Sequence, residues 1–203
     1  MEIVELNPQR KHDAVEVIVA AFFDYPMFEL YFPDRSKRKR VMTWYLGRVL
    51  DTALAYGEVL TTPEISGVIF ILPPGHTKIS QVEYIRQGFL PAPFVLGIRD
   101  FVRSQLLESF VADEHERLMK GRTHYYLWGL TVDPFHKREG IGSALLSPLV
   151  EKADSQGLPI YLETHDPKNV NYYQRMNFKL LKTVNLPRTE VPLFCMVREP
   201  IAK

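Results

Sequence analysis

The sequence predicts one α/β domain over residues 1–203, built on a central mixed β-sheet of about six or seven strands flanked by helices. Three observations predict this class. From residue 123, strand-like and helix-periodic segments alternate, as in a parallel crossover. Residues 58–75 indicate a hairpin, and the chain closes on two further strands, so antiparallel pairs should flank the parallel one. The 203 residues, 46% of them hydrophobic, can fill one large core.

The first 122 residues predict a strand, helices and a hairpin. "EIVELNP" alternates like a short strand, and "HDAVEVIVAAFFDYP" has helical spacing, with Asp13 as its cap and Pro26 as its stop. "PDRS" begins a second helix over roughly residues 34–55, which ends at Gly57. "EVLTT" and "SGVIFILPPG" form the hairpin. Two helices follow, because the prolines and glycines of "GFLPAPFVLG" interrupt the pattern.

The remaining residues predict the parallel unit. The strand "THYYLWGLTV" leads into the helix "GIGSALLSPLVEKADSQG", and the strand "LPIYLETH" leads into the helix "PKNVNYYQRM", which Asp166 can cap. The last two strands are "FKLLKTVNL" and "VPLFCMVRE".

Composition excludes several classes of function. Lys and Arg number 25 against 24 Asp and Glu, a net charge of +1, so we expect no nucleic-acid partner. The basic run "DRSKRKR" is better explained as a solvated helix start, although it could touch a nucleic acid or a phosphate. Cys195 is the single cysteine, which excludes an intrachain disulfide framework and a cysteine-based metal site. "HERLM" at residues 115–119 begins like a zinc protease motif but has Met119 where a histidine ligand is required, so we predict no metal. The chain shows no signal peptide or membrane span, and we expect a cytoplasmic protein.

The turn in "VDPFHKREGIGSALL" lies between a strand and a helix, where free backbone N–H groups favour an anion. It is not a dinucleotide fingerprint, because Leu145 stands where the third glycine belongs, and it is not a nucleotide P-loop, because no Gly-Lys pair occurs. Taken alone, the two glycines fit a phosphate site or merely a tight turn.

Pro134, Lys137, Gly140 and Gly142 match the pattern Gln/Arg-x-x-Gly-x-Gly/Ala, and this segment resembles the pyrophosphate loop of the GNAT acetyltransferase superfamily. The resemblance implies a loop that wraps the diphosphate of acetyl-coenzyme A and a preceding strand that pairs with its pantetheine arm. Lys137 and Arg138 depart from the commoner residues but keep the positive charge, whereas Glu139 should point outward. The cofactor-binding residues implied are Leu130, Thr131, Val132, Lys137, Arg138, Glu139, Gly140, Ile141, Gly142, Ser143, Asn169 and Tyr173.

A second motif strengthens the resemblance. GNAT members carry Tyr-x-x-x-Gly-Phe after the fifth strand, and Tyr173 to Phe178 match it with Asn177 in place of glycine. Asparagine tolerates the left-handed conformation that ends a helix. The resemblance implies Tyr173 as the proton donor to the coenzyme A sulfur, with Asn169 on the same helix face. The alternative is that Tyr173 only packs beneath the sheet.

The sequence offers several candidates for the general base. Glu163 leads weakly over three alternatives, His124, His165 and the pair Asp24-Tyr25, and a water chain could replace any of them. A backbone N–H of Leu130 to Val132 should face the developing oxyanion. The resemblance further implies a splay between this strand and "PIYLETH", which opens the acyl site.

Within the superfamily, the closest pattern is that of puromycin N-acetyltransferase-like proteins. It implies an acceptor-side half, residues 1–122, and a cofactor-binding and catalytic half, residues 123–203. We therefore predict an acetyl-CoA dependent N-acetyltransferase that transfers the acetyl group to a primary amine of a small molecule. We predict no metal cofactor, and a homodimer is compatible with the resemblance. The alternative is a catalytically silent module that binds acyl-CoA and regulates.

Overall fold

The computed structural model describes residues 1–201 and contains one seven-stranded sheet in the order β1-β2-β3-β4-β5-β7-β6. This agrees with the predicted class. The strands are β1 (Val4–Glu5), β2 (Glu58–Thr61), β3 (Gly67–Leu72), β4 (Tyr125–Val132), β5 (Ile160–Thr164), β6 (Lys179–Asn185) and β7 (Pro192–Arg198).

Eight α-helices surround this sheet in the described part of the chain. They are α1 (Lys11–Phe22), α2 (Pro26–Tyr31), α3 (Arg35–Tyr56), α4 (Gln81–Tyr84), α5 (Ala92–Leu96), α6 (Ile98–Leu118), α7 (Ile141–Gln156) and α8 (Pro167–Arg175). A π-helical turn, Ile85–Phe89, continues α4, and short 3₁₀ turns lie at Pro8–Arg10 and Pro134–His136.

The sheet is mixed, as predicted. Strands β2 and β3 form the expected hairpin, with Leu60 opposite Ile69, and β6 and β7 close the other end of the sheet as an antiparallel pair. The one parallel pair is β4 with β5, joined through α7 as a crossover. Two of the three predicted caps are present, since the side chains of Asp34, within "PDRS", and of Asp166 accept N–H groups at the starts of α3 and α8.

The parallel pair is short. Strands β4 and β5 are in register only at Tyr125 with Ile160 and Tyr126 with Tyr161. Beyond these positions, β4 continues to Val132 paired with β3 alone, and β5 continues to Thr164 paired with β7 alone. The carboxyl halves of the two strands therefore leave a cleft in the middle of the sheet.

An irregularity in β4 lies at the start of this cleft. Phe70 of β3 pairs with Gly129 and Ile71 pairs with Leu127, so Trp128 is an additional residue without a partner opposite it. Such a bulge bends its strand and increases the local twist. The bulge thus helps to direct β4 away from β5.

The core lies on both faces of the sheet. Along β3, Val68 and Phe70 pack with the side of α1 and α3, whereas Ile69 and Ile71 pack with α7 on the opposite face. The alternation follows from the period of two in a strand, and a strand covered on both faces is apolar throughout.

The structure corrects three local predictions. Asp13 does not cap α1, which begins at Lys11; it lies in the first turn and accepts from Arg10. Pro26 does not simply end a helix but begins α2, where a fixed φ and a missing N–H are tolerated. Residues 76–122 form three helices and a π turn rather than two helices, because Gly97, with φ +86°, separates α5 from α6.

A substitution at Gly129 tests how tightly the cleft is packed. A Cβ at this position would overlap the ring of Phe70, so Gly129→Ala should lower the free energy of unfolding by about 1–3 kcal/mol. Gly47→Ala in α3 is the control, because its Cβ would meet Val15 at an ordinary 3.9 Å. It should stabilise by about 0.5–1 kcal/mol. Equal effects of the two changes in denaturant unfolding would contradict the packing described.

Candidate active site

The glycine turn connects β4 to α7 and has the backbone of an anion site. Gly140 precedes α7 with φ +82° and ψ 0°, and Arg138 also has a positive φ, +72°. The first α-helical bond of α7 runs from the N–H of Ala144 to the carbonyl of Gly140. The N–H groups of residues 141–143 therefore precede the hydrogen-bonded ladder and remain available to a ligand.

Side chains leave room at this turn. A Cβ on Gly140 would meet nothing within 4 Å, so glycine is needed there for the left-handed backbone conformation and not for space. A Cβ on Gly142, in contrast, would lie 3.2 Å from the hydroxyl oxygen of Tyr172. Ile141 is buried in the core, so only its backbone can face a ligand. Ser143 follows in the first turn of α7. These features fit the diphosphate of acetyl-CoA, because the main chain can approach a bulky anion.

The charges of the turn also suit an anion. Lys137 and Arg138 are exposed, and neither takes part in an ion pair within residues 1–201. Glu139, in contrast, is exposed and interacts with the Nδ1 atom of His136 at 3.2 Å, so its charge is directed along the surface as expected. Two cations thus remain available beside the free N–H groups.

Strand β4 offers backbone donors to the cleft. The N–H of Asp133 donates to the carbonyl of Ser66, on the β3 side. Because backbone groups alternate between the two edges of a strand, the N–H groups of Leu130 and Val132 point toward the cleft. Thr131 is buried, and its Oγ1 donates to the carbonyl of Val68, so its side chain does not line the site.

Helix α8 ends in a motif that fixes Tyr173. Asn177 has φ +65°, the left-handed conformation anticipated at the missing glycine. The N–H of Phe178 donates to the carbonyl of Tyr173, and the N–H of Asn177 donates to that of Gln174, which is a Schellman closure. The rings of Tyr173 and Phe178 then pack with centroids 5.4 Å apart. The Schellman hydrogen bonds fix the backbone of Tyr173, and the Phe178 ring fixes its side chain.

Tyr173 lines a cavity of about 120 Å³ in the cleft between β4 and β5. Its side chain is 8% exposed, and its hydroxyl makes no hydrogen bond to any described residue. Burial raises the pKa of Tyr173 well above its ordinary value, and Tyr172 and Tyr25 add to the effect. The phenol therefore keeps its proton at neutral pH and can donate it into the cavity.

A hydrogen-bonded network forms another wall of the same cavity. The amide of Asn169 donates to Oγ1 of Thr164 at 3.0 Å, and the hydroxyls of Thr164 and Tyr25 lie 3.0 Å apart. The backbone N–H of His165 donates to the Tyr25 hydroxyl at 2.7 Å. Asn169 and Tyr173 do share a helix face, but the Asn169 amide is engaged within the protein. Thr164 was not identified from the sequence.

Glu163 lines the cavity as well, at the splayed end of β5. Burial raises its pKa to about 8, although the nearby hydroxyls of Tyr126 and Tyr161 lower it in part. Its Oε1 atom is buried without a hydrogen-bond partner within the described chain. A carboxyl group that titrates near neutrality is suited to accept a proton.

Two buried histidines continue from Glu163. His115 Nδ1 lies 3.9 Å from Glu163 Oε1, and His115 Nε2 lies 2.7 Å from His124 Nε2. His124 Nδ1 lies 2.6 Å from the carbonyl of Arg122 and must be its donor. With both rings neutral, His115 donates to His124 and presents a bare Nδ1 to Glu163. Burial lowers the pKa of His115 to about 3, which keeps it neutral.

The other candidate bases fit less well. Burial lowers the pKa of His165 to about 4, and its Nδ1 faces the carbonyl of Pro192 at 3.1 Å. Asp24 is exposed and pairs with Arg35 at 2.6 Å.

Within residues 1–201, no group of three or more His, Cys, Asp or Glu side chains is arranged to hold a metal ion.

A larger cavity of about 870 Å³ adjoins the first, between helices α4 to α6 and β4. The side chains common to both cavities are Tyr45, Tyr84, Glu108, Val111, Tyr126 and Trp128. Reasoning from the sequence missed Glu108, because a single carboxylate in a helix-periodic segment carries no local signal.

No described helix is long and apolar enough to cross a membrane.

Comparisons with known proteins agree with this geometry. Residues 98–178, from α6 to the end of the α8 motif, match the model of the acetyltransferase (GNAT) family. An uncharacterized N-acetyltransferase of Schizosaccharomyces pombe is 26% identical over 206 aligned residues, which cover 97% of this chain and 82% of the yeast protein. Both matches include the glycine turn and Tyr173.

Solved structures show the same fold. A histone acetyltransferase and related acetyltransferase from Corynebacterium glutamicum superposes with a TM-score of 0.69 at 17% identity, over 99% of this chain and 97% of that one. The C-terminal condensation domain of Ebony, in complex with beta-alanyl-dopamine, gives 0.64 at 12% identity, over 98% of each chain. The protein therefore has the single-domain α/β fold of GNAT acetyltransferases.

The burial of Glu163 should be measurable through stability. Between its ordinary pKa of 4.5 and the folded value of about 8, the unfolded chain releases a proton that the folded chain retains. Because of Glu163, the free energy of unfolding should therefore fall as pH rises over this range, by up to about 1.4 kcal/mol per pH unit. Glu163→Gln should remove this slope in denaturant unfolding at about pH 5 to about pH 8.

Glu151→Gln on the exposed face of α7 removes the same charge and is the control. If Glu163→Gln and Glu151→Gln show the same pH dependence as the wild type, Glu163 does not titrate as described.

Proposed function

We propose that the protein is an acetyl-CoA dependent N-acetyltransferase that acts on a primary amine of a small molecule. The observation that carries the proposal is the cavity in the β4–β5 cleft, which is lined by both a protonated phenol, Tyr173, and a carboxyl group that titrates near neutrality, Glu163. Acetyl-CoA, when bound, supplies a thioester that an amine can attack. The turn at residues 137–143 would hold its diphosphate.

Tyr173 serves as the acid. It holds a proton on its hydroxyl at neutral pH, and it can release that proton to a leaving thiolate, whose conjugate acid has a pKa near the cysteine-like ~8.5. The Schellman closure and the Phe178 ring keep the phenol in one position. A held donor costs less entropy at the moment of reaction than a mobile one.

Glu163 serves as the base. It accepts a proton from the acceptor's ammonium group, which frees the nitrogen lone pair for attack on the thioester carbon. The N–H groups of Leu130 and Val132 face the negative charge that develops on the acetyl oxygen. Donors fixed in a strand need no reorganisation when that charge appears.

The cavity of about 870 Å³ supports a small molecule as the acceptor, since it is within the size range of sites for small ligands. Helices α4 and α5 cover it, and its aromatic lining favours an apolar body. The alternative, a silent acyl-CoA-binding module, would have no use for an acid and a base in one cavity.

Removing the phenol oxygen tests the acid. Tyr173→Phe should lower kcat for thiol release from acetyl-CoA by about 10²–10⁴-fold, because the thiolate would leave without a proton donor. Affinity for coenzyme A should change little. Tyr125→Phe is the control, because it removes a hydroxyl that bonds Gln156 outside both cavities, and it should act as the wild type does.

If Tyr173→Phe turns over every accepted amine as fast as the wild type, Tyr173 is not the acid. Coenzyme A binding without thiol release for any amine would favour the silent binding module instead.

The base predicts a pH profile. Because Glu163 must be ionised to accept a proton, kcat/KM should rise as pH increases through about 8. Glu163→Gln should lower kcat/KM and abolish that step of the profile. Retention of the same step in Glu163→Gln would assign it to another group, such as the amine itself.

A further inference from the structure

Glu108 of α6 is a carboxylate without a cation. Its Oε1 accepts from the Tyr45 hydroxyl at 3.1 Å, and Tyr31, whose hydroxyl is buried with no hydrogen-bond partner among described residues, lies beside it. No Lys, Arg or His side chain of the described chain pairs with Glu108, whereas Glu114, two turns further along α6, pairs with both Lys182 and Arg117. Glu108 is half-buried, and carboxylates withdrawn from water are normally paired with a cation, so Glu108 is an exception.

The position of Glu108 suggests a purpose for this exception. It lines both cavities, and therefore lies at the boundary between the larger one and the cavity that Tyr173 and Glu163 line. Its charge also raises the pKa of Glu163, so the two carboxylates sense each other. A monocation placed between two interacting carboxylates relieves their repulsion and favours the ionised state of both.

The remainder of the larger cavity is suited to an apolar ring. Tyr84, Phe89 and Trp128 line it, and Tyr84 and Phe89 already pack edge to face with centroids 5.1 Å apart. Aromatic rings that line a cavity attract both other rings and ammonium groups. The charge and the rings together define one chemical class of ligand.

We infer that Glu108 binds the ammonium group of the acceptor, and that the acceptor is a primary amine carried on an aromatic body. The inference rests on the proposed function for the identity of the ligand as an acceptor, but the amine site itself needs no acetyl transfer. In the reaction, Glu108 stays ionised as the counter-ion, Glu163 takes one proton from the ammonium nitrogen, and the neutral amine then attacks.

The pH dependence of binding follows from the surroundings of Glu108. The titratable groups that face it are Tyr31, Tyr45, Tyr84, Tyr126 and Glu163. None carries a positive charge, and burial raises the pKa of Glu108 above its ordinary value. Affinity for an ammonium ion should therefore fall as the pH is lowered through this raised pKa, since a protonated Glu108 has no charge to offer.

Calorimetric titration of the full chain with three probes tests the site. The probes are phenethylamine, its uncharged analogue 2-phenylethanol, and n-butylamine, which has the charge but no ring. Phenethylamine should bind most tightly. Glu108→Gln should weaken it by about tenfold to hundredfold, the usual range for a hydrogen bond to a charged group, and should leave 2-phenylethanol unchanged. Glu151→Gln again controls for the loss of one negative charge.

The outcomes separate this inference from the proposed function. Equal affinities of the wild type and Glu108→Gln for phenethylamine, an equal loss for 2-phenylethanol, or no binding of any probe would overturn the amine site, while thiol release with other amines would still support an acetyltransferase. Glu108-dependent binding without thiol release would uphold the site and reject the proposed function. Unchanged coenzyme A affinity and thermal melting of Glu108→Gln show that the variant is folded.

Discussion

The arrangement of the molecule depends on the early end of one strand pairing. Strands β4 and β5 share a ladder at two residue pairs and then separate, so backbone groups that a continuous sheet would satisfy are left facing a cleft. Unpaired backbone groups are costly unless a ligand or water replaces the lost partners. The flanking pairs with β3 and β7 hold each strand along its other edge, and the bulge at Trp128 bends β4 away from β5. The cleft is therefore a permanent feature rather than a local fluctuation.

Around this cleft, each neighbouring element supplies a different chemical group to the candidate site. The turn before α7 supplies N–H groups and positive charge, α8 supplies the phenol, and β5 supplies the carboxyl group. Helix α6 adds Glu108, which lines both cavities, and His115, which lines the larger one. Because these groups come from separate elements, the geometry of the site is a property of the sheet and not of any single loop.

Much of the fold followed from the sequence, because periodicity and capping are local signals. The parallel unit, the hairpin, and the Asp34 and Asp166 caps needed only neighbouring residues. Glycine spacing and the Tyr173 motif identified the turn before α7 and the phenol in the same way. The Glu163–His115–His124 contacts and the position of Glu108 between the two cavities could not be found, because they depend on residues far apart in the chain that meet only after folding. Pro26 misled because proline both ends and begins helices.

The two histidines have a consequence for how the interior is polarised. Each neutral ring can donate once and accept once, so the direction of donation in the first ring determines that in the second. The Arg122 carbonyl accepts from His124, and this single peptide group thereby decides that Glu163 meets a lone pair and not an N–H. A rotation of that peptide, at the edge of the domain, would reverse both rings. The hydrogen-bonding environment of Glu163 is thus determined by the Arg122 carbonyl, in a loop that does not contact Glu163.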